Sequence, residues 1–265
     1  MVTNAEFDRW SAGRSYDHYM GRWSRLVAAR FVDWLAAPKG ADWLEVGCGT
    51  GALTEAILAR AAPASILATD ASDDFVAHAR QAIDDPRVRF QSAAAQALPL
   101  PDQSVDVVTS GLVLNFVPNR LDGLIEMQRV VRPGGVVSFY VWDYPGGGIG
   151  FIDAFWKAAA QLDPAAAALD EGARFPFCTP EGLARLGAEA GLEGGEVVAL
   201  AIDTPFPDFE AFWHPFTLGA GPAPGYCANL SAPAREALKA RLRDRLGDGE
   251  IRLTARAWAF RAHRR

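Results

Sequence analysis

Cysteine is scarce in this chain, and long apolar runs are missing. Cysteine occurs three times, as Cys48, Cys178 and Cys227. The odd number, the wide spacing and the lack of a CxxC pair exclude a disulfide framework and a thiolate zinc site. No metal is expected, and a reducing, cytoplasmic setting is. No apolar stretch approaches the ~20 residues that a membrane span requires. Residues 1–10 are polar and acidic rather than a secretory leader, so no membrane partner is expected. Basic residues are outnumbered, 26 Lys and Arg against 32 Asp and Glu, for a net charge of −6. A dedicated nucleic-acid binder would carry a basic face, so no nucleic-acid partner is expected either. There is no internal repeat. What is present is apolar bulk: half of the 265 residues are hydrophobic, enough for a core. The length suits one α/β domain with insertions or two small domains.

The stretch that organises the chain is Asp42-Trp43-Leu44-Glu45-Val46-Gly47-Cys48-Gly49-Thr50-Gly51. Trp43 to Val46 reads as a short buried strand, and Ala52 to Ala61 as an amphipathic helix. Glycine belongs where φ must be positive or where a ligand lies against the backbone. Three glycines at alternate positions, followed by the free N–H groups of a helix N-terminus, leave a turn across which a nucleotide-like ligand can lie. A dinucleotide fingerprint would read G-x-G-x-x-G; here the spacing is G-x-G-x-G. Ser65 to Asp70 reads as a second buried strand ending in an acid. Asp70 lies 19 residues beyond Gly51, where a strand-tip carboxylate can accept both ribose hydroxyls; the alternative is a capping or solvated turn carboxylate. Ser72 or Asp73 caps the next helix.

Val88 to Gln91 reads as a third strand and Ser104 to Thr109 as a fourth, with Ser110 at its tip. Between them stands Ala93-Ala94-Ala95-Gln96-Ala97-Leu98-Pro99. Leu124 to Gly135 reads L-x-E-x-x-R-V-x-x-P-G-G, with the proline and glycines stopping a helix before a fifth strand, Val136 to Trp142. In this order, these motifs resemble the class I S-adenosylmethionine-dependent methyltransferases, of the methyltransferase type 11 group, over roughly residues 40–142. The resemblance implies a Rossmann-like α/β fold: a seven-stranded sheet of order 3-2-1-4-5-7-6, last strand antiparallel, with a helical lid. It implies S-adenosylmethionine as methyl donor, with S-adenosylhomocysteine as product. The implied cofactor-binding residues are Tyr16, Tyr19, Glu45, Gly47, Cys48, Gly49, Gly51, Asp70, Ala71, Ala95, Gln96 and Ser110. The family's acid for the adenine amino group falls on Ala94, whose side chain accepts nothing; Gln96 or a backbone carbonyl is left to take over. The segment before the glycine turn, Arg22 to Leu35, has helical spacing and reads either as a helix packed on the sheet or as part of a flap. Asn115 and Phe116 read as active-site lining or as ordinary core.

Past Trp142 the resemblance fades. Phe151 to Leu162, the stretch after Thr179-Pro180, and the stretch after Ser231 read as helices. Glu193 to Thr204 and Ile251 to Arg261 read as strands, the last one next to the sheet edge. The expected organisation is one methyltransferase domain over 1–265: a flap (1–40), a cofactor-binding core (41–142), and lid insertions with strands six and seven (143–265). Phe175, Phe177, Phe209, Phe212, Trp213, Phe216 and Tyr226 form either a pocket wall or the lid's own core. His214, Asp143 and Tyr144 are the candidates for a general base, if the acceptor needs one; His18, like His214, has no identifiable partner in sequence. The expected function is methyl transfer to a small molecule by in-line displacement. The alternatives are a dinucleotide-dependent oxidoreductase and a non-catalytic S-adenosylmethionine-binding protein.

Overall fold

The computed structural model describes residues 17–219 and 221–265; Tyr16 lies outside the described residues. A π-turn, Asp17–Gly21, leads into α1 (Arg22–Leu35). Then β1 (Asp42–Val46), α2 (Ala52–Arg60), β2 (Ser65–Asp70), α3 (Asp73–Ala82) and β3 (Val88–Ser92) alternate, and β4 (Val105–Gly111), α4 (Arg120–Val130) and β5 (Val131–Trp142) follow. The remainder runs α5 (Gly150–Leu162), α6 (Glu171–Arg174), α7 (Pro180–Glu189), β6 (Glu196–Phe206), α8 (Phe209–Trp213), α9 (Pro222–Asn229), α10 (Ala232–Leu246) and β7 (Ile251–His263).

The seven strands form one sheet in the order β3-β2-β1-β4-β5-β7-β6, as the resemblance implied. The pairs β1·β2, β1·β4, β2·β3 and β4·β5 are parallel. β7 runs against β5: Gly134 N–H bonds the Arg264 carbonyl, while Asp143 N–H, at the far end of β5, bonds that of Arg256. Strands of a parallel sheet are covered on both faces and so read as continuous apolar runs. Leu44 and Val46 of β1, Ile66 to Ala68 of β2, and Val107 and Val108 of β4 are all buried. Ser72 caps α3, its hydroxyl accepting the Phe75 N–H, which decides between the two caps left open above. β5 departs from expectation by starting at Val131 rather than Val136. The Pro-Gly-Gly stop ends the helix, yet its own backbone stays in the sheet, because Gly134 N–H and the Gly135 carbonyl both pair with Arg264.

By contact density the chain divides into two units. The first comprises Ser24–Val141, Phe177–Leu200 and Ala257–Arg265; the second comprises Met1–Trp23, described from residue 17, Trp142–Pro176 and Ala201–Arg256. In the first, Phe31 packs on Tyr140 at 4.5 Å and Phe139 stacks on Phe260 at 4.9 Å between ring centroids. Phe177 belongs here, beneath the Arg120 guanidinium. In the second, Phe155 stacks on Phe216 at 4.6 Å and Tyr19 meets Phe151 and Phe216 edge-on. Phe175, Phe209, Phe212, Trp213, Phe216 and Tyr226 are all buried and supply core to that unit. No helix among the described residues is long and apolar enough to cross a membrane.

α4 separates buried from exposed apolar positions sharply. Leu124 is fully buried, whereas its neighbour Ile125 is 44% exposed. Leu124→Ala is therefore expected to lower unfolding free energy by about 2–5 kcal/mol, and Ile125→Ala by no more than about 0.5 kcal/mol, both read from urea denaturation.

Candidate active site

The site begins where β1 runs out. Gly47 N–H and Cys48 N–H both donate to the Thr69 carbonyl, at 2.7 and 2.8 Å. The Thr69 hydroxyl donates to the Glu45 carbonyl and the Ser110 hydroxyl to that of Val46, so the tips of β1, β2 and β4 are laced together. The Asp70 carboxylate accepts the Gly49 N–H with one oxygen and the Ser72 N–H with the other, each at 2.9 Å. Burial lifts its pKa above the ordinary value, opposed by these N–H groups and that of Ala71.

Gly47 has φ +79°, and a Cβ there would lie 2.5 Å from both methyls of Val113. The turn thus needs glycine for its conformation and for the close approach of Val113. Val113 is brought there by Leu112, a non-glycine residue at φ +62°, a conformation that costs roughly 1–3 kcal/mol and tends to mark functional sites. Gly49 is different: nothing lies within 4 Å of where its Cβ would be.

Beside this turn is a cavity of about 200 Å³. Gly47, Asp70 and Ala71 form one side; Ala94, Ala95 and Gln96 form another; Val113, Phe116 and Val117 form a third. Five of the expected cofactor residues, Gly47, Asp70, Ala71, Ala95 and Gln96, thereby come together, and Gly49 is tied to them through Asp70. Glu45, Cys48, Gly51 and Ser110 do not line the cavity. Glu45 is 1% exposed, and its carboxylate accepts the Thr54 hydroxyl at 2.5 Å. Burial, against that bond and helped by the charge of Asp70, raises its pKa to about 7. Burial, with the charges of Glu45 and Asp70, pushes the Cys48 thiol far up, so it is no nucleophile. Gly51 sits at the N-cap of α2.

Val113, Val117 and Pro118 were not expected at the site. The apolar run Leu112 to Val117 carried no signal that it would arch over a glycine. Phe116 lines the cavity; Asn115 is buried, with its amide nitrogen unpartnered. Tyr19 and the candidate bases lie in the second unit. Asp143 is held by the Arg256 guanidinium at 2.7 and 2.5 Å and by the Gly146 N–H, so its carboxylate secures a turn. Tyr144 packs on Phe175. His214 is exposed. No cluster of His, Cys, Asp or Glu able to hold a metal occurs among the described residues.

Residues 44–139 match the family model described as a methyltransferase domain. The chain is 33% identical over 134 residues to a malonyl-[acyl-carrier protein] O-methyltransferase of Marinomonas sp., covering 50% of this chain and 48% of that one. It is 40% identical over 102 residues to a demethylmenaquinone methyltransferase of Bacillus licheniformis, covering 38% and 44%. The chain thus spans about half the length of the curated relatives it matches. Among solved structures, phosphoethanolamine N-methyltransferase 2 of Haemonchus contortus in complex with S-adenosyl-L-methionine superposes with a TM-score of 0.59 at 14% identity, over all of this chain and 60% of that one; at that identity the likeness is one of fold.

Glu45 gives the fold a pH dependence of defined sign. Its folded pKa of about 7 lies above the ordinary 4.5, so the folded state holds the proton more tightly than the unfolded chain. The stabilisation is complete below about pH 4.5 and is lost as pH rises through 7. Glu171, also buried and also raised to about 7, behaves alike. Between pH 5 and 7.5 the melting temperature should fall, and Glu45→Gln should flatten part of that slope in a thermal melt series.

Proposed function

We propose that this chain, whose residues 44–139 are a class I methyltransferase domain, transfers a methyl group from S-adenosylmethionine to a small-molecule acceptor. The observation that carries the reading is the placement of Asp70 at the β2 tip, facing a cavity walled by Ala95, Gln96 and Phe116. The residues suit an adenosine. Asp70 has an acceptor pair for ribose hydroxyls, and the Gly49 N–H it now accepts can be exchanged for them. Val113, Phe116 and Val117 give apolar faces for a flat ring, and the Ala95 N–H is the donor for its edge. Open space at Gly49 lets the ligand lie on bare backbone.

The donor supplies a methyl group on a sulfonium, already electrophilic. The protein's part is then to bind, to align the acceptor with the S–CH₃ bond, and to exclude water. Alignment alone can supply roughly 7–11 kcal/mol, and a base adds to it only where the acceptor must lose a proton. The curated relatives named above are called a malonyl-[acyl-carrier protein] O-methyltransferase and a demethylmenaquinone methyltransferase; for this chain the acidic charge and the aromatic second unit favour a small acceptor. We treat 1–265 as one methyltransferase domain with its lid, and the free, buried cysteines suit the cytoplasm.

Calorimetry tests this. Wild type should bind S-adenosylhomocysteine and not NAD(P). Asp70→Ala should lose about 1.5–3 kcal/mol, the worth of hydrogen bonds to a charged group, or roughly 10- to 150-fold in Kd. Ala94→Asp restores the missing adenine acceptor and should gain about 1 kcal/mol. No binding of S-adenosylhomocysteine by wild type at millimolar concentration would remove the reading.

A further inference from the structure

Ala95 and Gln96 wall the cavity from a stretch, residues 93–104, that joins β3 to β4 with neither helix nor strand. Its first three side chains are the methyl groups of Ala93, Ala94 and Ala95, so it has few contacts of its own with which to hold a shape. The position of this wall is set from outside. At its start, the Ala93 N–H donates to the Asp70 carbonyl at 2.9 Å. At its end, the stretch is hooked onto α4. The Leu98 N–H donates to Glu126 Oε2 at 3.0 Å. Arg129 donates through Nη2 to the Leu98 carbonyl at 3.3 Å, and through Nη1 to the Leu100 carbonyl at 2.9 Å and to Asp102 Oδ1 at 2.8 Å. The N–H groups of Gln103 and Ser104 then bond the carbonyls of Arg129 and Val130.

A guanidinium has five N–H donors in a fixed fork. Two of them go to Glu126: Nε to Oε1 at 2.6 Å and Nη2 to Oε2 at 2.8 Å. All five are therefore used, two on the neighbouring acid and three on the loop. Helical spacing of three residues puts Glu126 and Arg129 side by side, so the E-x-x-R of the sequence pattern acts as one clasp. Gly123 stands one turn earlier on the same face. A Cβ there would lie 3.3 Å from the Ala95 Cβ, so the bare backbone of α4 lies against the cavity wall. Glu126 and Arg129 are half-buried, and an ion pair in such a place adds little to stability by itself. Its effect is geometric: it fixes the main chain of a loop whose alanine side chains cannot read a ligand.

We infer that Glu126 and Arg129 are positioning residues for recognition of the base of a bound adenosine: they hold Ala95 and Gln96 where the loop main chain, the Ala95 N–H above all, meets the edge of the ring. The identity of the ligand rests on the methyltransferase reading; the new step assigns base selectivity to two side chains that do not line the cavity. Adenine offers a bare ring nitrogen to a donor at that edge. Hypoxanthine carries a hydrogen on the same atom, so two donors would face each other unpaired, and a site built this way rejects it. Rejection needs the N–H held in place, which is what the clasp does.

The test uses the full chain with Arg129→Met, Arg129→Lys and Glu126→Gln, and Arg132→Met as reference. Arg132 is another multiply bonded arginine of the same unit, on Asp106, Asp42 and the Ser104 carbonyl, but none of its bonds goes to residues 93–102. Calorimetry compares S-adenosylhomocysteine with S-inosylhomocysteine, whose base differs only at the edge in question. Wild type should prefer the adenine compound. Arg129→Met should weaken S-adenosylhomocysteine by about tenfold and lose most of the preference. Arg129→Lys, which keeps the charge but not the fork, and Glu126→Gln, which keeps one acceptor for the Leu98 N–H, should fall between. Arg132→Met should keep both affinity and preference, whatever it does to the melting temperature. A purely structural clasp would lower the melting temperature of the Arg129 and Glu126 variants and leave the preference of the folded protein as in wild type; that result overturns the proposal, and so does an equal loss of preference in Arg132→Met. If Arg129→Met fails to fold, Arg129→Lys and Glu126→Gln carry the comparison. A wild type that binds both compounds equally would leave the methyltransferase reading intact and overturn the positioning role. A wild type that binds neither would instead strike at the methyltransferase reading itself.

Discussion

One carbonyl holds the site together. Thr69 accepts two successive N–H groups, from Gly47 and Cys48, and so binds the glycine turn to the end of β2. Each bond is worth only about 1 kcal/mol net, but their geometric effect is larger. They extend the parallel ladder of β1 and β2 past the last regular pair. That places Asp70, the very next residue, under the turn instead of out in solvent. Once there, its two oxygens are aimed by the N–H groups of Gly49 and Ser72, and α3 starts with the Ser72 cap. The carboxylate, the turn and the helix are thus set by one piece of backbone.

What could be read in advance follows from that backbone logic. The glycine spacing and the acid 19 residues on are local, short-range constraints, and they pointed to Gly47, Asp70 and Ala71, which line one cavity. The strand order was implied by the family resemblance that an ordered set of motifs carries. The wall opposite was not legible. Val113 meets Gly47 across a loop that an ordinary apolar run encodes, and the left-handed Leu112 that turns it carries no sequence signal. β5 began earlier than its Pro-Gly-Gly implied because a distant residue, Arg264, supplies the partners. The aromatic residues of the second half were visible as a group, but their choice between core and pocket wall depends on packing that composition does not specify. Asp143 was one of three candidate bases; its pairing with Arg256, over a hundred residues later, lay beyond any local pattern.

Each unit buries one carboxyl group in the same way. In the first, the carboxylic acid of Glu45 sits under the turn on a single hydroxyl, held near neutrality by its surroundings. In the second, the Glu171 carboxyl accepts the Trp156 indole N–H and is likewise raised to about 7 by burial. A group that can shed its charge, as an acid does by taking a proton, tolerates burial by titrating.

The alanines at 93–95 have a consequence for how this cavity can be explored and how it can drift. With methyl groups for walls, recognition falls to main-chain atoms and to the hollow itself. Truncating side chains there removes almost nothing, so a conventional alanine scan would pass over the region in silence. The informative changes run the other way, toward bulk: a valine or leucine in that loop would fill the hollow. Drift toward small residues would be tolerated, and variation toward large ones would close the door.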